Sequence, residues 1–187
     1  CAIRLSGMGA MTQFAEPDLA GIVTSAADGD QFAFGRIVAA HHEDMRRVCV
    51  FVTRDDTLAE DATQMAWAVA WQKLGTLRAP DRLRPWLISV AVNQAKDLLR
   101  SRNRRSELEV ATDASRVSGG IDPATGIERL DALEAMGRLE PEDRALIAMR
   151  YVLGFDATEL AAAFGGSPAG IRQRLKRLMD HLRQELA

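Results

Sequence analysis

The sequence predicts an all-α protein: two small helical domains joined by a flexible linker, the second ending in a helix-turn-helix. Three observations carry this. Aromatics are only 5% of the 187 residues while Ala, Leu and Arg are plentiful, a mixture that favours helix over sheet. Apolar residues recur at helical spacing in several segments, and none shows the alternation of a half-buried strand. A stretch poor in apolar residues, carrying Ser118-Gly119-Gly120 and Asp122-Pro123, separates two such regions.

Residues 1–27 read as an N-terminal extension, expected to be partly disordered. Its first residues, Cys1 to Ala10, lack the apolar core of a signal peptide, and Met11 marks a candidate start. Cys1 and Cys49 are the only cysteines, which excludes a disulfide framework or a cysteine-rich zinc site and fits a reducing cytoplasm. No window approaches the roughly 18 uninterrupted apolar residues of a membrane span, so no membrane insertion is expected.

The first helical domain is assigned to residues 28–105. Within it, Leu58–Leu74 has Thr57 before it and Glu60-Asp61 in its first turn, where acids favour the helix dipole. Leu58, Ala62, Met65 and Val69 fall on one side and are expected to face the core. Glu60, Gln64, Trp67 and Trp71 fall roughly opposite. Two tryptophans one turn apart must bury against another helix or a partner protein; core is the expected fate of Trp67, whereas Trp71, Glu60 and Gln64 stay open. The basic loop Arg78–Trp86 follows, with Arg78, Arg82, Arg84 and two prolines. It leads into a helix beginning near Pro85, with Leu87, Ala91 and Leu98 inward and Asn93, Lys96 and Arg100 outward. Such a face suits phosphates and unstacked bases, and a solubilising basic helix end is the competing reading.

Residues 106–125 form the predicted linker and 126–187 the second domain, where Ile127, Leu130, Leu133 and Met136 recur at helical spacing. Asp156 followed by Glu159 makes a capping box. That helix is expected to bury Leu160, Ala161 and Phe164 and to break at Gly165-Gly166. Ser167-Pro168 then restarts it, serine as N-cap and proline at the first helical position. At roughly 100° per residue, Leu175, Leu178 and Leu182 share a face with Ile171. Gln173 and Lys176 lie opposite, flanked by Arg172 and Arg177. Long hydrogen-bonding side chains near the start of a second helix are what duplex base edges are read by.

Charge is segregated. The net formal charge is −2, yet residues 78–105 hold eight cations against two carboxylates and residues 106–143 hold ten carboxylates against three arginines. From Pro168 onward, five cations face two carboxylates. Two basic segments around an acidic one point to two phosphate-facing surfaces.

These residues together resemble a known family. The run Leu58-Ala-Glu-Asp-Ala-Thr-Gln-Met-Ala-Trp67 resembles the docking helix of bacterial sigma-70-type RNA polymerase sigma factors. Trp86 to Asp97, with Arg100 and Arg104-Arg105, resembles their strand-capturing helix. Leu139-Glu-Pro-Glu-Asp-Arg144, Tyr151 and the Glu159, Ser167, Arg177 module resemble their C-terminal pattern. The three occur in family order, and the short linker points to the extracytoplasmic-function (ECF) group.

The resemblance implies a transcription initiation factor with no catalytic residues, cofactor or metal. It implies that Glu60, Asp61, Gln64 and Trp71 dock on the clamp of the polymerase's largest subunit, with the flap of the second-largest subunit as a further contact. Arg78, Arg82, Arg84, Asn93, Lys96 and Arg100 would hold the melted −10 strand, and Arg172, Gln173, Arg174, Lys176 and Arg177 would read the −35 duplex. The acidic linker would thread toward the active cleft, and an anti-sigma factor is an expected partner. Three departures stand out: Met65 where the family has Glu, Gly170 where it has Thr, and an Arg-rich rather than aromatic loop at residues 79–85. The alternative is a stand-alone helix-turn-helix regulator. An enzyme finds little support, since His41-His42-Glu43 lacks metal-ligand spacing and His181 stands alone.

Overall fold

The computed structural model describes residues 18–109 and 134–186, with side chains described for 18–105 and 134–186. The predicted linker beyond Glu109, and Ile127, Leu130 and Leu133, lie outside these residues. Every regular element within them is helical.

Helix α1 spans Leu19–Ala27, started by the Asp18 carboxylate, which accepts the Ala20 N–H. It lies inside the stretch the sequence reading assigned to an extension, and buries Val23 and Ala26 against the second helix and the turns that follow the third. Helix α2 spans Gln31–Thr53, with Asp30 capping two amides, and stops where Arg54 turns left-handed at φ 58°. Helix α3 spans Asp56–Lys73, beginning two residues before the expected Leu58, and the Asp55 carboxylate caps it by accepting the Leu58 N–H. Two short 3₁₀ turns, Leu74–Thr76 and Pro80–Arg82, carry the basic loop. Helix α4 spans Leu83–Glu109; it starts before Pro85, which fits the first turn because its missing N–H has no partner to lose there. It also runs past the expected boundary at Arg105.

Helices α2, α3 and α4 pack against one another. Their core holds Met45, Val48, Cys49 and Val52 from α2, and Leu83, Leu87, Ile88, Ala91 and Ala95 from α4. The contribution of α3 corrects the expected stripe. Ala59, Ala62, Ala66 and Ala70 are fully buried together with Thr63. Met65 is 44% exposed, and Leu58 and Val69 are only half-buried. Large apolar residues were expected to mark the inward face; close approach of three helices selects the smallest ones instead.

Residues 134–138 are helical and are labelled α5. Helix α6 spans Pro141–Ile147 and continues into a π-helical turn, Ala148–Val152. Helix α7 spans Ala157–Phe164 and α8 spans Pro168–Glu185. Leu146, Met149, Phe155, Leu160, Ile171, Leu175 and Leu182 fill the space between them, while Phe164 is half-buried rather than buried. The two helical units touch. Helix α6 packs on α2 and α4, and α7 packs on α4.

Candidate nucleic-acid interface

The α7–turn–α8 module is set by local chemistry. The Asp156 carboxylate accepts the N–H groups of Thr158 and Glu159 at 2.7 and 2.8 Å, and the Glu159 side chain accepts the Asp156 N–H at 2.8 Å. The Glu159 and Thr158 N–H groups hold the Asp156 carboxyl below its ordinary pKa. Gly165 and Gly166 sit at φ 78° and 97°, a region open to glycine at little cost. Ser167 Oγ accepts the Gly170 N–H at 3.1 Å. A β-carbon at Gly170 would lie 3.3 Å from that oxygen, so the hydroxyl residue usual in the family would crowd the cap.

On α8, Ile171, Leu175 and Leu182 point inward, and Arg172, Gln173, Lys176 and Arg177 are exposed on the other side. Arg174 behaves differently. Its guanidinium holds Asp143 of α6 at 2.7 Å and lies 3.8 Å from Glu142. It is a half-buried strut, already occupied.

The α4 face is similarly divided. Asn93 is exposed. Arg100 is exposed beside Asp97 at 3.3 Å. Lys96 is half-buried, its ammonium 3.5 Å from Glu142 of α6. In the loop, Arg78 and Arg82 are exposed. Arg84 is fully engaged: Nε meets Asp44 at 2.9 Å, Nη2 donates to the Leu153 carbonyl at 2.9 Å, and the guanidinium lies 4.7 Å over the Phe155 ring. Arg82 and Trp86 face Asp156 and Glu159 across a cleft of about 540 Å³ between the two units.

The outward side of α3 presents Asp61, Gln64 and Met65. Glu60 is half-buried and accepts the Gln64 side-chain N–H at 3.1 Å. Both tryptophans lean on Phe34 of α2, edge to face, at 5.8 Å for Trp67 and 4.8 Å for Trp71. The Trp67 indole N–H donates to His42 Nδ1 at 3.2 Å, so Trp67, expected in the core, packs half-buried against α2. Trp71 keeps 38% of its surface exposed. Burial lowers the pKa of His41.

Three groups carry contacts that the sequence does not signal. Arg102 pairs with Asp55 at 2.7 Å. Glu142 and Asp143 hold cations from two different faces. Arg144, only 7% exposed, donates to the carbonyls of Val52 and Leu139; burial and the nearby Arg54 push its pKa down. Only the Leu139–Arg144 motif could have flagged these acids, since their partners lie far away in sequence.

Residues 37–105 match sigma-70 region 2, and residues 129–182 match sigma-70 region 4. The chain is 34% identical over 168 residues to the "Probable RNA polymerase sigma factor RfaY" of Xanthomonas campestris pv. campestris, covering 86% of this chain but 42% of that one. It is 31% identical over 163 residues to the RNA polymerase sigma factor CarQ of Myxococcus xanthus, covering 85% and 92%. The solved structure of CnrH in complex with the cytosolic domain of CnrY superposes with a TM-score of 0.65 at 28% identity, covering 88% of this chain and 94% of that one. CnrH is an RNA polymerase sigma factor of Cupriavidus metallidurans. No helix among the described residues is long and apolar enough to cross a membrane. Two matched regions in order, on a shared all-α fold, place the chain: it belongs to the sigma-70-type RNA polymerase sigma factors of the ECF group, the transcription initiation factors that direct RNA polymerase.

Proposed function

We propose that this chain binds core RNA polymerase in the cytoplasm and reads a promoter at two points. The N-terminal unit, residues 28–105, docks through the outward side of α3, where Asp61, Gln64 and the exposed edge of Trp71 form an interface and Glu60 orients Gln64. Its loop and α4 hold the melted −10 strand through Arg78, Arg82, Arg84, Asn93, Lys96 and Arg100. The C-terminal unit, residues 126–187, reads the −35 duplex through Arg172, Gln173, Lys176 and Arg177, with Arg174 fixing the angle of α8. The single observation that carries this reading is the outer side of α8. Four long hydrogen-bonding side chains stand exposed there on a helix whose start is fixed by Ser167 and whose other side is buried, the arrangement that places a helix in the major groove.

A protein partner of the kind CnrY provides for CnrH would silence the chain by covering the same surfaces. In vitro transcription with core polymerase and genomic fragments tests the proposal. Starts that depend on this chain are expected, and Asn93→Ala is expected to impair promoter opening while leaving −35 duplex recognition intact. Stable binding to palindromic duplex without polymerase, and no promoter-dependent start, would instead favour a stand-alone regulator.

A further inference from the structure

A recess of about 390 Å³ is lined by the end of α2, later turns of α4, α5 and the start of α6. Its volume falls within the roughly 300–1,000 Å³ of small-molecule sites. None of the residues proposed to meet promoter or polymerase lines it. The lining holds four arginines, Arg54, Arg102, Arg138 and Arg144, against the carboxylates of Asp55 and Glu140. Asp55 is taken by Arg102 at 2.7 Å, and Arg138 reaches Glu185 at 3.1 Å. Among the described residues no carboxylate lies within ion-pair distance of Arg54 or Arg144. Arg144 donates to backbone carbonyls, which satisfy its N–H groups without cancelling its charge. Burial, and after it the charge of Arg54, pushes the Arg144 pKa down. Two like charges therefore share one recess.

Arg54 is held there at a cost. Among the described residues it is the one non-glycine with a left-handed φ, 58°, a strain that gathers at functional positions. Its guanidinium lies against Gly137 of α5, where any β-carbon would overlap it. The missing side chain at Gly137 is what lets this cation lie in the recess.

We propose that the recess binds a small free anion with two or more linked phosphoryl groups, held by Arg54 and Arg102 and by the charge of Arg144. A guanidinium fork matches phosphate oxygens two at a time. The three cations come from the end of α2, from α4 and from α6. A tetrahedral phosphoryl group accepts from several directions, whereas a carboxylate offers one plane. Arg144 is only 7% exposed, and Arg54 and Arg102 are half-buried. A nucleic-acid backbone is met by cations standing exposed, as on α8, so buried cations favour a free anion. Binding relieves the repulsion between Arg54 and Arg144 and stabilises the fold by mass action.

The test titrates pyrophosphate into the full chain at constant ionic strength, without divalent cations, by calorimetry and by thermal unfolding. Saturable one-to-one binding and a raised unfolding midpoint are expected. Arg54→Asn removes the cation but keeps a residue that tolerates left-handed backbone. It should weaken pyrophosphate about tenfold or more, the effect of losing a charged hydrogen bond. Gly137→Ala should also weaken it, because the β-carbon displaces the Arg54 guanidinium, even though alanine favours the helix. Arg183→Gln, which removes an exposed cation of α8, should leave the affinity unchanged. A nucleoside triphosphate run beside pyrophosphate tells the two sources of the anion apart, and tight binding of either supports the site.

No binding by either anion would overturn the site. An equal response to citrate and sulfate, or full binding by both Arg54→Asn and Gly137→Ala, would also overturn it, because charge screening alone would then explain the effect. Displacement of pyrophosphate by an oligonucleotide at lower concentration than by the nucleoside triphosphate would hand the recess to a nucleic-acid backbone instead. None of these outcomes bears on the promoter reading, which uses other residues.

Discussion

Arg144 of α6 reaches into the end of α2 and donates twice to the carbonyl oxygen of Val52, from Nε at 3.0 Å and Nη2 at 2.7 Å. That carbonyl belongs to the last turn of α2, where helix geometry supplies no internal partner, and it sits at the negative end of the helix dipole. A third donation goes to the carbonyl of Leu139. Arg144→Ala should lower the unfolding free energy by about 2–3 kcal/mol, because charged hydrogen bonds are lost and buried acceptors are orphaned. Urea denaturation would measure it, and Arg144→Lys should recover only part, having no planar fork. A loss within experimental error would mean that water replaces the guanidinium.

A second prediction separates Arg174 from its neighbours. Arg174 and Asp143 meet at 2.7 Å with both side chains partly buried. A double-mutant cycle of Arg174→Ala and Asp143→Ala, followed by thermal denaturation, should show coupling of about 0.5–1 kcal/mol. Arg172→Ala and Lys176→Ala should leave stability unchanged and weaken holoenzyme binding to promoter duplex. Zero coupling, with a base-specific loss at Arg174, would make it a direct reader.

Acid should loosen the start of α7 in a defined window. The Asp156 carboxyl has its folded pKa depressed, chiefly by the Glu159 N–H and then by that of Thr158. A depressed carboxyl stabilises the fold above its unfolded value, about 3.9, and that contribution disappears as pH falls through the lower folded value. Amide chemical shifts of Thr158 and Glu159 should therefore titrate together below that value. Asp156→Asn should abolish the titration while keeping a cap. Asp55, held low first by the Leu58 N–H and also by Arg102, should behave alike at the start of α3. Inflections at or above the unfolded value would contradict this.

Cys49 offers a probe of the three-helix core. Burial pushes its thiol pKa up to about 11, and its side chain is fully covered. Since only the thiolate reacts, iodoacetamide at mildly alkaline pH should leave Cys49 unmodified in the native chain. Peptide mass spectrometry should find modification only in step with urea unfolding. Rapid native labelling would reveal an opening of α2 from α4.

The fold was legible in the sequence wherever local chemistry decides. The Asp156–Glu159 box, the Gly165-Gly166 break and the Ser167-Pro168 restart are each written within four residues, and α7 and α8 follow from them. The inward side of α3 was not legible from its large residues, because Met65 looks like core and Ala66 looks like filler until two other helices are present. Helix α1 was not legible because Leu19–Ala27 is short and packs on α2. At the candidate interface, exposure of Arg172, Gln173, Lys176 and Arg177 could be derived from the angle each makes with Ile171. The partners of Arg84, Lys96, Arg102 and Arg174 could not, as each lies at least 31 positions away in the chain.

The alanines of α3 have a mechanical consequence. A helix seated on leucines can roll by several degrees while its side chains change rotamer to follow. Ala59, Ala62, Ala66 and Ala70 have no rotamers to change, so the backbone of α3 rests directly on its neighbours, and turning it would open a gap or force an overlap. The bearing of Asp61, Gln64 and Trp71 is thereby fixed to the body of the N-terminal unit. A push delivered to that side of α3 is carried to α4 as a rigid lever carries it, with almost no play.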